Sequence, residues 1–424
     1  MTNLYDELSW RGLVYDGTER LPALFATGHV TAYIGFDPTA SSLHVGSLLQ
    51  VMSLARLQRF GHAPIAVIGG GTGMVGDPSG KSQERVLLDA AQIEANLAGI
   101  RAQLSRFLDF DATTHAARIV NNADWLASID LLSFLREAGK HFTVNYMLQK
   151  ESVSRRLESE DGISFTEFSY LLLQAYDFLQ LFDRHGCTLQ MGGSDQWGNI
   201  TAGIDLIRKL RATKAHGLVA PLVMTAAGVK FGKTEAGTVW LDPARTSPFA
   251  FYQFWLNTDD RDVIKYLKYF TFLDRAAIEA LEGAHGAAPE KREAQRALAR
   301  EVTTLVHGTA EAAKAEGGAG KLFSGDLQAM PASEILGVLG DVPSTPVTAS
   351  RLGEITLAKW IVAAGLASSG SEATRLIHSG GIYVNDARVT DEKKRLSRED
   401  AIGGEIIVLG KGQRQKHVLR IEGE

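Results

Sequence analysis

Cysteine is nearly absent. Cys187 is the single one among 424 residues, which excludes an intrachain disulfide and a cluster of thiolate metal ligands. Long hydrophobic runs are missing too: the most apolar stretch, 64–76, is too short and too rich in glycine to span a bilayer. Residues 1–24 carry scattered charges and lack the apolar segment of a secretory leader. Nor is there an excess of positive charge; the net charge is −5, so no strong global field attracts a polyanion. These absences predict a cytoplasmic protein with no membrane segment and no structural metal. What is present, 45% hydrophobic and 22% charged residues, excludes disordered, collagen-like and disulfide-rich classes. The length allows two to three domains with a sizeable core.

The segment 31–36 (TAYIGF) reads as a short buried strand. Asp37-Pro38-Thr39 breaks it, because proline lacks a donor and biases its predecessor away from helix. Helical periodicity starts near His44 and runs through Leu48, Leu49, Met52 and Leu57 to Gly61, a suitable C-terminal stop. The run 64–70 (PIAVIGG) predicts the next strand. Strand, helix and strand in so short a span make a βαβ unit. The expected fold is therefore α/β, with a Rossmann-like doubly wound parallel sheet whose function sits at the carboxyl ends of the strands. Further on, 83–110 and 165–182 read as amphipathic helices, 187–191 as a strand, and 192–195 as a turn opening a helix to Leu210. Residues 248–322 look all-helical, and 324–348 are rich in Pro, Gly, Ser and Ala with weak periodicity. The predicted organisation is an α/β domain with a helical insertion over 1–240, a helical domain over 241–323, a linker over 324–350 and a small α/β module over 351–424.

Two glycine motifs mislead. Gly71-Thr72-Gly73-Met74-Val75-Gly76 matches G-x-G-x-x-G after a strand, the signature of a dinucleotide site and hence of an NAD enzyme. That signature needs a helix opening on its glycines, and Asp77-Pro78-Ser79-Gly80 breaks the chain there. Gly80-Lys81-Ser82 mimics the end of a phosphate-binding P-loop, but Val75 stands where its first glycine belongs.

Three segments carry usable chemistry. In Asp37-Pro-Thr-Ala-Ser-Ser-Leu-His-Val-Gly-Ser47, His44 and Gly46 open a helix after a strand. Free N–H groups and partial positive charge there attract phosphate. Thr39 and His44 can donate to phosphate oxygens, and Gly46 admits a flat ligand face. An ordinary turn with an incidental histidine explains the same residues. In Val229-Lys-Phe-Gly-Lys-Thr234, Lys230 and Lys233 form a cation pair on a loop loosened by Gly228 and Gly232, suited to closing on pyrophosphate. A solvated hairpin is the alternative. Tyr170, Gln174 and Asp177 fall at i, i+4 and i+7 on one helical face. That stripe either faces solvent or lies inward and needs a polar partner; periodicity alone does not choose.

Together, His44-Val-Gly-Ser47 and Lys230-Phe-Gly-Lys-Thr234 resemble the paired signatures of class I aminoacyl-tRNA synthetases. Ser47 stands where that family often has His or Asn. Tyr33-Ile-Gly-Phe-Asp-Pro-Thr39, Gly76-Asp-Pro-Ser-Gly80, Tyr170-Leu-Leu-Leu-Gln-Ala-Tyr-Asp177 and Gly192-Gly-Ser-Asp-Gln-Trp-Gly-Asn199 resemble consecutive motifs of bacterial tyrosyl-tRNA synthetases, over essentially the whole chain. The resemblance implies that Tyr33 and Asp177 bond the tyrosine phenol and that Asp77, Tyr170 and Gln174 hold its ammonium group, with Gln196 near its carboxylate. Gly35, Asp37, Gly46 and Ser47 would line the ATP side, with Gly193 and Asp195 at the ribose. Thr39 and His44 would act on the γ-phosphate region, and Lys230, Lys233 and Thr234 would clamp the pyrophosphate. Some relatives have a ribose-binding cysteine directly after the position of Tyr33; here it is Ile34. ATP with Mg²⁺ is implied as a substrate, with no tightly bound cofactor. The implied partners are tRNA and a second copy of the chain, meeting around Leu131 to Met147.

At the C-terminal end, 355–389 reads helix, helix, hairpin, with Ser371 as an N-cap and Asn385-Asp386 as the turn. The pattern Leu357…Gly365-Leu366…Ala373…Leu376-Ile377…Gly380…Tyr383-Val-Asn385 resembles an S4 RNA-binding domain. Lys359, Arg375, His378, Lys393, Lys394 and Arg395 would then meet phosphates. Gly370 follows Ser369 where that family often has arginine. From residue 351 onward there are 12 Lys+Arg against 10 Asp+Glu, a mild balance that also suits a module serving stability alone. Two further readings remain: a non-catalytic RNA-binding protein on the same scaffold, and a tryptophan-specific relative. Intact His44, Lys230 and Lys233 argue against the first. Tyr33, Asp177 and the C-terminal module argue against the second.

Overall fold

The computed structural model describes residues 3–79, 90–158, 162–228, 231–234, 237–324, 327, 332, 335–336, 342–412 and 415–422. Lys230 and the expected start of the helix at 83–89 lie outside them. The chain forms two compact units, Met1–Asp242 with Thr258–Leu298, and Pro243–Asn257 with Ala299–Glu424.

The first unit is built on a six-stranded sheet. β2 (Thr31–Phe36) pairs in parallel with β3 (Ala63–Ile68) on one side and β5 (Leu189–Gly193) on the other. β4 (Arg118–Asn121) extends the sheet beyond β3, β6 (His216–Ala220) beyond β5, and β1 (Asp16–Gly17) closes the β6 edge antiparallel. The order is β1-β6-β5-β2-β3-β4. The chain therefore runs outward one way through β3 and β4 and the other way through β5 and β6. Its direction reverses between β2 and β5, where open α/β sheets place their ligands. β2 and β3 are buried almost throughout, as parallel strands covered on both faces must be.

The helix Val45–Arg59 lies between β2 and β3, with His44 as N-cap residue in extended conformation. It ends as expected: Gly61 takes the left-handed conformation at φ 81°. The helix Phe165–His185 is capped by Ser164, whose hydroxyl accepts from the Glu167 N–H, and closed by Gly186 at φ 60°. Leu171, Ala175, Phe178 and Leu179 carry its buried side into the core beside Tyr33 and Trp125. The strand expected at 187–191 lies two residues later. The Cys187 N–H still turns back to Leu181 O and closes the helix, so the ladder begins only at Leu189.

In the second unit, the helices Pro248–Leu256 and Thr309–Ser324 pack together. The sheet there holds β9 (Ser344–Thr348), β10 (Ile382–Val384), β11 (Ala387–Val389), β12 (Ile406–Lys411) and β13 (Gln415–Glu422), in the order β11-β10-β12-β13-β9. β9 falls inside the stretch read as linker. It is an edge strand with only Val347 buried, so its sequence shows no alternation. The second helix of the module, Gly370–His378, is capped by Ser369 rather than Ser371; the Ser369 hydroxyl accepts from the Glu372 N–H. Asn385 and Asp386 both have positive φ, 50° and 64°, which a two-residue hairpin turn of this hand requires. The Asn385 side chain fixes the turn by accepting from the Val408 N–H at 2.8 Å and donating to Asp400 O. Among the described residues, no helix is long and apolar enough to cross a membrane.

Candidate active site

The polar stripe of the Phe165–His185 helix lies inward. Tyr170 and Asp177 are buried and Gln174 is half-buried. At one end, Asp177 Oδ1 accepts from Trp125 Nε1 at 2.6 Å and Oδ2 from Asn122 Nδ2 at 2.9 Å. Burial pushes the Asp177 carboxyl up to about 7 against these two hydrogen bonds, and nearby Asp37 adds to the rise. Tyr33, 2% exposed, meets Phe178 edge-on at 5.3 Å. Its hydroxyl is buried with no hydrogen-bond partner among the described residues. Burial, then the charge of Asp177, holds this phenol well above its ordinary range. A buried hydroxyl without a partner costs about 1–3 kcal/mol. Its persistence next to a buried carboxylate marks a place for a group that both accepts and donates.

At the other end a second network forms around Asp77. Its Oδ1 accepts from the Ser79 N–H at 2.9 Å and its Oδ2 from Gln196 Nε2 at 2.7 Å. Gln196 Oε1 in turn accepts from Gln174 Nε2 and Asn199 Nδ2, each at 3.3 Å. Asn199 Nδ2 also reaches Gln174 Oε1 at 3.0 Å and Ser79 Oγ at 3.4 Å. A buried carboxylate among amide oxygens suits a small cation such as an ammonium group. The stripe thus joins an acceptor-rich anionic end at Asp77 to the buried Tyr33–Asp177 end.

The glycine loop that mimics a dinucleotide site is tied instead to Asn122, the partner of Asp177. It forms a single 3₁₀ turn, Thr72–Met74, not a helix. Asn122 Oδ1 accepts from the N–H groups of Gly71 at 2.8 Å and Thr72 at 3.4 Å, and Asn122 Nδ2 donates to Thr72 Oγ1 at 2.9 Å. The glycines allow this close approach: a Cβ on Gly70 would lie 2.1 Å from Asn121 Oδ1. Asn122 therefore links the loop to Asp177. Sequence reasoning missed Asn122, Trp125, Ser79 and Asn199. The one available signal for Asn122 was its place directly after β4, at a strand's carboxyl end.

The described part of the second motif, 231–234, and the segment 239–241 after it meet the start of the helix that His44 opens. Val45 N–H donates to Val239 O at 3.0 Å and Leu241 N–H to Leu43 O at 2.9 Å, which lays 239–241 along the start of the helix. The His44 ring stands edge-on to Trp240 at 6.0 Å. Phe231 anchors the loop by stacking on Phe270 at 5.3 Å and meeting Tyr266 at 4.9 Å. Gly232 has φ 85°, and a Cβ there would lie 2.7 Å from Val45 Cγ2 and 3.3 Å from Gly46 N. A Cβ on Gly46 would lie 2.7 Å from His44 Cε1. Gly232 therefore lets the loop backbone reach the helix start, and Gly46 leaves room for the His44 ring. Lys233 and Thr234 form the short strand β7, paired with Gly237–Thr238, the strand β8.

Gly35, Asp37 and Thr39 follow one another at the carboxyl end of β2, where the Thr39 N–H donates to Asp37 O at 2.9 Å. Ser47 lies in the first turn of the helix, which carries no acidic residue. Gly193 ends β5, and a Cβ on it would lie 2.6 Å from Asp195 Oδ1. Ile34 is buried. Among the described residues, no group of three His, Cys, Asp or Glu side chains is placed to hold a metal ion.

In the second unit Lys359, Arg375 and Lys393 are exposed. Lys394 pairs with Asp400 at 2.9 Å, and Arg395 donates to Gly353 O at 2.6 Å and Glu354 O at 3.1 Å. His378 pairs with Glu392 at 3.0 Å. The expected basic cluster is thus part outward-facing and part structural.

The family model for class I tRNA synthetases (W and Y) matches residues 26–324, and the model for the tyrosine--tRNA ligase SYY-like C-terminal domain matches 334–419. The tyrosine--tRNA ligase of Roseiflexus castenholzii is 55% identical over 99% of this chain and 100% of its own length. That of Geobacillus kaustophilus is 52% identical over 99% of both. A C-terminally truncated Aspergillus nidulans mitochondrial tyrosyl-tRNA synthetase superposes with a TM-score of 0.70 at 33% identity, covering 76% of this chain and 95% of that one. Two family models that together span most of the chain, and relatives more than half identical over nearly its full length, place it plainly: the chain belongs to the class I tRNA synthetases, in their tyrosine--tRNA ligase branch.

Proposed function

We propose that the chain activates L-tyrosine with ATP and then esterifies it to the 3′ end of tRNA(Tyr). The carrying observation is the buried Tyr33 hydroxyl beside Asp177, one helix stripe away from the Asp77 network. A phenol seated there accepts from Tyr33 and donates to Asp177. The ammonium group is held by Asp77, Tyr170 and Gln174. Gln196 orients the carboxylate toward ATP, which enters as its magnesium complex. A carboxylate oxygen attacks the α-phosphorus, the bond to the β-phosphate breaks, and pyrophosphate leaves. A ribose hydroxyl of the tRNA end then attacks the activated carbonyl and AMP departs. No side chain becomes a nucleophile, so catalysis rests on positioning and on charge stabilisation. Thr39 and His44 face the departing diphosphate, with Lys230, Lys233 and Thr234 closing on it. Gly35, Asp37, Gly46, Ser47, Gly193 and Asp195 take the nucleoside.

The division of labour places activation in 1–240 and RNA binding in 351–424, through Lys359, Arg375 and Lys393 together with Lys394 and Arg395. The reaction takes place in the cytosol. Leu131, Leu132, Leu135, Val144 and Leu148 are exposed by 69, 76, 45, 60 and 38%. So much apolar surface on one segment suits contact with a second copy.

Pyrophosphate exchange with tyrosine, phenylalanine and tryptophan side by side tests the reading. Tyrosine alone should support fast exchange; equal exchange with either of the others would refute it. Asn122→Ala should raise the KM for tyrosine roughly ten- to hundredfold, since it leaves an Asp177 oxygen and the loop N–H groups without their partner, about 1–3 kcal/mol. Exchange kinetics at saturating ATP measure it, with kcat changing less.

A further inference from the structure

The phenol end has a definite proton inventory. Tyr33 brings a donor with no acceptor among the described residues, and Asp177 brings a carboxylate already holding two N–H donors. The titratable groups around the pair are Asp37 facing Asp177 and Cys187 facing Tyr33, neither of them a cation. The Arg184 guanidinium lies over the Trp125 ring, 5.4 Å from its centroid, and makes no bond to the carboxylate. Among the described residues, nothing positive bonds to either member of the pair.

We propose that this end of the pocket holds one proton for the substrate phenol and Asp177 together, so that the enzyme takes neutral phenols and rejects phenolates. The inference rests on reading the site as one for tyrosine. A neutral phenol donates its proton to Asp177 and accepts from Tyr33, which satisfies both buried groups. A phenolate brings no proton for Asp177 and sets a second anion against Asp177 and Asp37 in a buried space, where like charges oppose each other's ionisation. Moving the proton from phenol to carboxylate changes nothing, because the complex keeps the same count. Once both partners are ionised in solution, binding must take up one proton. Productive binding then falls about tenfold per pH unit. Burial holds Asp177 near 7. For any substrate whose phenol ionises above that, the phenol sets where the decline begins.

The test is kcat/KM for pyrophosphate exchange by the full chain against pH, with tyrosine and with ring-fluorinated tyrosines whose phenols ionise progressively earlier. The analogues keep nearly the same shape and the same ammonium group, and between about pH 7, where Asp177 gives up its own proton, and the ionisation of each phenol the profile should be level, which gives the size-corrected plateau. For analogues whose phenols ionise above Asp177, at about 7, and before the ammonium group they all share, the descending limb should move down by one pH unit for each unit drop in phenol pKa, with a tenfold loss per unit beyond it. A single limb common to all substrates, or a flat profile through an analogue's ionisation, would overturn the inference while leaving tyrosine activation intact. No exchange with tyrosine at any pH would instead overturn the functional reading beneath it.

Discussion

Asp177→Asn should nearly abolish tyrosine activation while making the folded chain more stable at neutral and alkaline pH. The activity loss follows from removing the carboxylate that accepts the phenol proton, with Trp125 Nε1 and Asn122 Nδ2 already oriented toward it. Disrupting such a buried charged bond costs about 3–5 kcal/mol, or roughly two to four orders of magnitude in kcat/KM. The stability gain follows from the proton balance. The folded chain holds the Asp177 proton up to about pH 7, whereas an unfolded aspartate releases it near the ordinary value of 3.8. Between those values the folded state binds more protons than the unfolded one. Stability therefore falls as pH rises through that window and stays at the lower level above it, a difference on the order of 4 kcal/mol. The amide escapes this penalty but leaves one of the two donors facing an NH₂ group, which costs about 1–3 kcal/mol. The variant should melt higher than the wild type at pH 8, and the advantage should vanish near pH 4. Thermal melts at the two pH values check this; a variant less stable at pH 8 would show that the carboxylate holds the fold together rather than the substrate.

Gly232→Val should separate chemistry from binding. At φ 85° a β-branched residue is strained, and its Cβ would meet Val45 Cγ2 at 2.7 Å and Gly46 N at 3.3 Å. The loop carrying Lys233 would be lifted from the helix start that carries His44. Losing aligned charge around the diphosphate costs roughly a hundred- to thousandfold in rate. Among the described residues, none of 231–241 bonds to Asp177, Asp77, Gln174 or Gln196, so tyrosine affinity should hardly change. Single-turnover adenylate formation and equilibrium dialysis with tyrosine separate the two effects. An unchanged rate, or an equal loss of tyrosine binding, would contradict the role given to the docked loop.

Much of this was legible in the sequence because local signals agreed with the fold. The strand at 31–36, the helix from His44 and its glycine stop all follow from short-range pattern. The ambiguity at Tyr170, Gln174 and Asp177 was real: an amphipathic helix shows which residues share a face but not which face is covered. Asn122 and Trp125 were invisible because their role exists only once β4 lies beside β3 and brings them against Asp177. The glycine run at 71–76 misled for the same reason. Its glycines answer to Asn122, Leu126 and Pro38, which are distant in sequence. β9 escaped because an exposed edge strand leaves no alternation to read.

A structure of the full chain with L-tyrosine bound is the most direct test. The substrate phenol oxygen should sit within about 2.6–3.0 Å of both the Tyr33 hydroxyl and an Asp177 carboxylate oxygen, with the ammonium nitrogen against Asp77. Tyrosine bound with its ring away from that pair, or with its orientation reversed, would contradict the account.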